Sequence, residues 1–295
     1  MEKYFLCVPY GGYNDQISVI YTCYNYCQQV NRTLLLYTNC FDEKEEIDEY
    51  IQNTIYTFDF NKLIHLELKN LITERETIEN ILENIQSNEI LQYMPIYDLN
   101  IPKKLKKYIR YDIQDIQLVK ISKKYLFNNF NIKLMCYYNC GGIYDLDINY
   151  LNKFYFKEPI KSMYEERKKF LPEFYVSFHI RNTDYTCDYK RIFEEHKQLL
   201  EQPIYLATDS IEVLEYVKSI AKNKVYQFST LHIDNKPLHN YHYGIISKEQ
   251  RFIELILDLL CVGNSNIFIP SVGGFSALCN KYFSNKNLIQ FFKSF

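Results

Sequence analysis

Residues 173–189 read EFYVSFHIRNTDYTCDY. Phe174–Ile180 is a near-continuous apolar run of the length expected for a strand buried on both faces. His179, Arg181, Asp184 and Asp188 then follow within ten residues. In open parallel α/β sheets, ligands bind just beyond the carboxyl ends of the strands. An ionisable cluster there marks a candidate site, and Arg181 could grip a phosphate through two parallel N–H bonds. The plainer alternative is a surface arginine paired with Asp184, which is worth little energetically.

Strand and helix patterns alternate after this stretch. Lys190–Gln202 reads as a helix, Ile204–Ala207 as a strand and Ile211–Lys222 as a helix. Val225–Phe228 is a strand, Lys248–Val262 a helix, Ile267–Pro270 a strand and Phe275–Phe283 a helix. Such alternation implies a parallel sheet with right-handed crossovers. The N-terminus shows the same logic. Tyr4–Val8 is a strand. Ile17–Val30 is a helix with Ile20, Cys23, Cys27 and Val30 on one stripe, and Arg32–Tyr37 is a second strand. The expected class is α/β, with two Rossmann-like domains facing across a cleft. The boundary is placed in the charged run KSMYEERKKF (Lys161–Phe170), giving domains 1–165 and 166–295. Asp42–Gln86 is acidic and helix-prone, and Asn88–Asn131 carries no clear period.

Six of the eight glycines fall in pairs: Gly11-Gly12, Gly141-Gly142 and Gly273-Gly274. The first and third pairs follow a predicted strand and precede a predicted helix. Glycine there permits positive φ and close approach of a ligand, and the helix N-terminus behind it offers an anion site. Two ordinary tight turns are the alternative. A second strand end, YLATDS (Tyr205–Ser210), places Thr208, Asp209 and Ser210 in the same position. There a helix N-cap at Asp209 or Ser210 is the simpler reading. The third, IFIPSVGGFSALC (Ile267–Cys279), brings Ser271, Gly273, Gly274, Phe275 and Ser276. Three strand ends thus converge on phosphate-compatible chemistry.

Composition narrows the function classes. With 47% hydrophobic and 24% charged residues, the 295-residue chain is globular. A net charge of −2 argues against a nucleic-acid partner, so any phosphate site is local. The nine cysteines cannot all pair internally. The start, MEKYFLCVPYGG, has too short an apolar run for a signal core or a membrane span. The expectation is a cytoplasmic chain with reduced thiols. The 29 tyrosines, 20 phenylalanines and absent tryptophan, with abundant Lys, Asn and Ile, suit an AT-rich viral or microbial genome.

Four segments together resemble the fucosyltransferase superfamily of α1,2-, α1,6- and protein O-fucosyltransferases. HIRNTDY (His179–Tyr185) resembles its H-x-R-x-x-D motif, and IYLATDS its strand ending in T/S-D. Arg251–Tyr282 is similar to its helix–strand–S-S-F-S block, and GGYNDQIS (Gly11–Ser18) to its G-G-x-x-N-Q element. The resemblance spans both ends of the chain and leaves about 41–152 unmatched. It implies an inverting, metal-independent transferase of the GT-B type, with a GDP-sugar, in the first place GDP-fucose, as co-substrate and no further cofactor. The acceptor would be a glycan or a glycoprotein. By the same resemblance Arg181 would hold the β-phosphate and neutralise charge on the departing GDP. His179 and Asp258 would lie by the nucleotide, with Asp258 accepting from guanine N–H groups. Gly11, Gly12, Asn14, Asp209, Gly273, Gly274, Phe275 and Ser276 would complete the donor site. Asp188, or else Asp184, would take the acceptor's proton. Departures are present: Asn182 stands where a second arginine is frequent, Gly273-Gly274 replace a serine pair, and Asp15 occupies a usual asparagine position.

Other readings compete. Asp145-x-Asp147 matches the metal site of the other glycosyltransferase fold. Cys23/Cys27 and Cys136/Cys140 have i,i+4 spacing, and helix core packing explains the first pair. His239 and His242 belong to a polar loop or to half of a metal site. Arg251, Glu254 and Asp258 share a helix face that a solvated stripe would also produce. A nucleotide- or glycan-binding protein that has lost catalysis is the main alternative from another class.

Overall fold

The computed structural model describes residues 2–9, 12–38, 60–85, 90–93, 134–139, 146–233 and 247–293. Two compact units emerge. One comprises Met1–Gln52, Tyr56–Asn61 and Glu67–Leu146, the other Asn53–Ile55, Lys62–Leu66 and Asp147–Phe295.

In the first unit, β1 (Tyr4–Pro9) leads into α1 (Tyr13–Val30) and β2 (Thr33–Leu36). With β4 (Leu71–Ile72), β5 (Ile90–Tyr93) and β6 (Leu134–Asn139), these form a parallel sheet of order β4-β2-β1-β6-β5. All six residues of β1 are buried, as a central parallel strand requires. Cys23 and Cys27 pack in the core beneath it, which accounts for their spacing. The segment 42–86, read as helix-prone, contains a 3-10 turn (Phe60–Lys62), β3 (Ile64–Leu66), β4 and one α-helix, α2 (Arg75–Glu83), among its described residues. Strands of two or three residues are too short to show a period.

The second unit holds β3, and with it α3 (Ile148–Leu151) and β7 (Phe154–Phe156), which pairs antiparallel with β3. The run read as a boundary is largely α4 (Glu158–Lys168). Then come β8 (Val176–Ile180), α5 (Tyr189–Glu195), β9 (Ile204–Thr208), α6 (Ile211–Ile220) and β10 (Val225–Tyr226). Helix α7 (Lys248–Gly263), β11 (Ile267–Ile269) and α8 (Gly274–Ser284) complete it. Its four parallel strands have the order β10-β9-β8-β11. Numbered within the unit, that is 3-2-1-4, the order of a Rossmann half. The helix expected over 190–202 ends at Glu195 and continues as a 3-10 turn, Lys197–Glu201.

Side chains alternate across β8. Val176, Phe178 and Ile180 join Phe193, Leu206, Val213 and Val217 in one apolar cluster under α5 and α6. Ser177 and His179 point the other way, the first to Ser265 and the second to the Phe275 ring. Covered on both faces, β8 is wholly buried. It therefore holds the residues at its carboxyl end on a rigid base.

Candidate active site

The order of the second sheet reverses between β8 and β11, and ligands bind at such a reversal in open α/β sheets. The chain leaves β8 through Arg181 and leaves β11 through Ser271 and Gly273. These ends are bonded together: the Arg181 N–H donates to Ser271 Oγ at 3.3 Å, and the Ser271 N–H donates to Ser276 Oγ at 3.0 Å. Gly273 has φ +96°, in the left-handed region that favours glycine. A Cβ built on it would stand 3.3 Å from Arg181 Nη1, so the arginine occupies the space a side chain would take. Gly12 differs. Its φ of −60° is open to any residue, and a Cβ there would meet Asp15 Oδ2 at 3.5 Å, an ordinary contact. The expectation that this glycine supplies positive φ is not met; Gly11 lies outside the described residues.

Behind Gly273, α8 begins without a side-chain cap. Its first-turn N–H groups and partial positive charge, beside the Arg181 guanidinium, make an anion-binding arrangement. The guanidinium forks onto Asp184, with Nε to Oδ1 at 3.0 Å and Nη2 to Oδ2 at 2.6 Å. Both side chains are about a quarter exposed, at 27% and 29%. The pairing with Asp184 and the strand-end placement hold together.

Asp209 bends inward to the same loop. Its Oδ1 accepts from the Asn182 N–H at 2.8 Å and its Oδ2 from Thr183 Oγ1 at 2.6 Å. Burial pushes its carboxyl up, against these donors and Arg181. The helix cap at this strand end is Ser210, whose Oγ accepts from the Val213 N–H. Asp209 is thereby freed to brace the Arg181 loop. Asp188 caps α5, accepting from the Arg191 N–H at 3.1 Å.

His179 is buried beneath Arg181, its Nδ1 3.5 Å from Ser271 Oγ and its ring T-shaped to Phe275. Burial, and then the Arg181 charge, pull its imidazole down to about 3, so it is neutral near pH 7.

Asp258 lies deeper, and the face it shares with Arg251 and Glu254 is buried, so it is no solvated stripe. Three donors fall on its Oδ1: Arg167 Nη1 at 3.0 Å, the Tyr205 hydroxyl at 2.6 Å and Ser229 Oγ at 2.8 Å. Burial pushes this carboxyl up, opposed first by Arg167. For Arg167, burial alone would lower the pKa, but the Asp258 carboxylate, with Tyr205 and Cys261, turns the net shift upward, so the guanidinium stays charged. Arg167 and Tyr205 escape notice in the sequence. One sits in a charged run and the other inside an apolar strand, and only the fold brings them to Asp258.

In the first unit, Asn14 lies in the first turn of α1, 5% exposed, and its Nδ2 is buried without an acceptor among the described residues. Asp147 caps α3 by accepting from the Asn149 N–H at 2.8 Å. Asp145, His239 and His242 lie outside the described residues. No helix among the described residues is long and apolar enough to cross a membrane.

No protein-family model matches the chain, and no curated protein sequence matches it. Solved structures do. The fucosyltransferase NodZ from Bradyrhizobium superposes with a TM-score of 0.55 at 12% identity, covering 95% of this chain and 92% of that one. POFUT1 in complex with GDP-fucose gives 0.52 at 12% identity, covering 95% and 94%. A mutant of Arabidopsis thaliana FUT1 in complex with GDP gives 0.52 at 8% identity, covering 96% of this chain and 68% of that one. The chain has the mixed α/β fold, built on parallel sheets, of these fucosyltransferases.

Proposed function

We propose that this chain is an inverting, metal-independent glycosyltransferase of the GT-B type. It moves fucose, or a related sugar, from a GDP-sugar to a hydroxyl of a glycan or protein. One observation carries the reading: Arg181, the uncapped N-terminus of α8 and the Ser271–Ser276 turn meet where the sheet order reverses. The fold shared with fucosyltransferases, one of them solved with GDP-fucose, supports it. Residues 166–295 would be the donor-binding domain and 1–165 the acceptor-side domain.

In this reading the diphosphate lies on the first-turn N–H groups of α8, against Arg181. Negative charge grows on GDP as the sugar departs, so a fixed guanidinium stabilises the transition state more than the ground state. The neutral His179 adds no second cation and can give a hydrogen bond. Asp258 spends one oxygen on its three donors and keeps Oδ2 for guanine N–H groups. Asp188 is the base for the acceptor hydroxyl, with one oxygen engaged in capping α5. Asp184, forked onto Arg181, holds the arginine.

The test is Arg181→Ala. The Arg181–Asp184 pair is part-exposed and contributes little to stability, so the variant should fold. Sugar transfer or donor hydrolysis should fall by about 100-fold or more. Wild-type turnover in a folded Arg181→Ala protein would overturn the proposal. Tight GDP binding by the wild type, without transfer to any glycan or protein acceptor, would replace it with a binding protein.

A further inference from the structure

Tyr185 follows the residues that the H-x-R-x-x-D resemblance covers with a role. The residue is 60% exposed, yet its ring centroid lies 5.1 Å from the Arg181 Cζ atom. The backbone before it is pinned by Asp209, through Asn182 and Thr183, and by the Asp184 fork. The backbone after it is pinned by the Asp188 cap. The ring is therefore presented by a braced loop.

Arg181 meets a different constraint on each side. Asp184 holds the Nε–Nη2 edge in plane, and Nη1 lies over Gly273, where a Cβ would come within 3.3 Å of it. Tyr185 offers the face of its ring to the cation, with Cζ 5.1 Å from the ring centroid. A carboxylate competes with an incoming phosphate for the same N–H groups. A ring does not, because it attracts the cation through its own face and sets no acceptor oxygen against the N–H groups. When a diphosphate draws the guanidinium from Asp184, the contact with the ring can persist.

We propose that Tyr185 is a positioning residue for the diphosphate site, stacking on Arg181 to hold its plane toward the N-terminus of α8. This rests on the reading that an anionic donor binds at that turn. It assigns the ring, and not the phenol hydroxyl, the work.

The experiment compares wild type, Tyr185→Phe and Tyr185→Leu by calorimetry with GDP, with UDP and, separately, with inorganic pyrophosphate. Thermal melts check that each variant is folded. NMR follows the Arg181 Nε–H for the upfield displacement that an overlying ring imposes. Tyr185→Phe should keep that displacement and bind both ligands within about two-fold of wild type. Tyr185→Leu should lose the displacement and bind both about two- to five-fold more weakly. Unchanged binding by Tyr185→Leu, or equal losses in both variants, overturns the proposal. Pyrophosphate binding that weakens in Tyr185→Leu, with no preference for GDP over UDP, upholds Tyr185 while removing the GDP reading. A wild type that binds neither ligand ends both.

Discussion

At Gly273 the backbone, Arg181 and the proposed anion site meet. Restoring a serine there, as in the resembled S-S-F-S block, would add a hydroxyl donor. The structure argues that it would still harm the site. A side chain at φ +96° is strained by roughly 1–3 kcal/mol, and its Cβ would press on Arg181 Nη1 at 3.3 Å. Gly273→Ser is expected to bind GDP about tenfold more weakly, the loss of part of a charge-assisted bond. Calorimetry on the folded variant checks this, and tighter binding would show that the glycine merely replaces the serine. His179 gives a second residue-scale prediction. Its folded pKa of about 3 lies below the 6.5 of an unfolded histidine, so the unfolded chain takes up the proton first. The contribution to stability is complete above about pH 6.5 and is lost as pH falls toward 3, at about 1.4 kcal/mol per pH unit. Urea denaturation between pH 7 and 5 should show this slope in wild type and a shallower one in His179→Gln.

At the scale of elements, the buried Arg167–Asp258 pair ties α4 to α7, with Tyr205 adding β9. Breaking such a pair from one side leaves a buried charge without compensation. Asp258→Ala should cost about 3–5 kcal/mol in urea denaturation. Tyr205→Phe, which removes one neutral donor, should cost about 1 kcal/mol. A smaller loss in Asp258→Ala than in Tyr205→Phe would refute the structural weight given to the ion pair. The strands and helices from β8 onward were legible because they carry a period or a cap, such as the apolar run of β8, the serine before α6 and the glycine before α8, whereas α3, β7 and α4 went unread. The short strands of the first unit were not, since pairing with neighbours distant in the chain defines them. The end of α5 was also hidden, because the helical pattern runs on through His196 into a 3-10 turn.

For the molecule as a whole, the proposed donor makes a global prediction. A ligand that binds only the folded state stabilises it by mass action, by about 2.7 kcal/mol at a hundredfold excess over Kd. GDP should therefore raise the melting temperature by several degrees and UDP should not. The shift should persist in EDTA, which would abolish it if Asp145 and Asp147 held a metal against the diphosphate. An equal response to both nucleotides would remove the role of Asp258 in base recognition.

The sequence by itself determined the α/β class, the parallel order implied by its alternation and the strand end at which Arg181 stands. These follow from periodicity, glycine placement and the rule that charge at a buried strand's end is there for a ligand. Only the tertiary structure decided what each polar group touches. It turned Asp209 inward as a brace, made Asp188 a helix cap and gave Asp258 an arginine 91 residues away. It also set Tyr185 over Arg181. The physical reason is one of range. Backbone periodicity acts over a few residues and is written locally, whereas a hydrogen bond or ion pair acts over about 3 Å between atoms that only folding brings together.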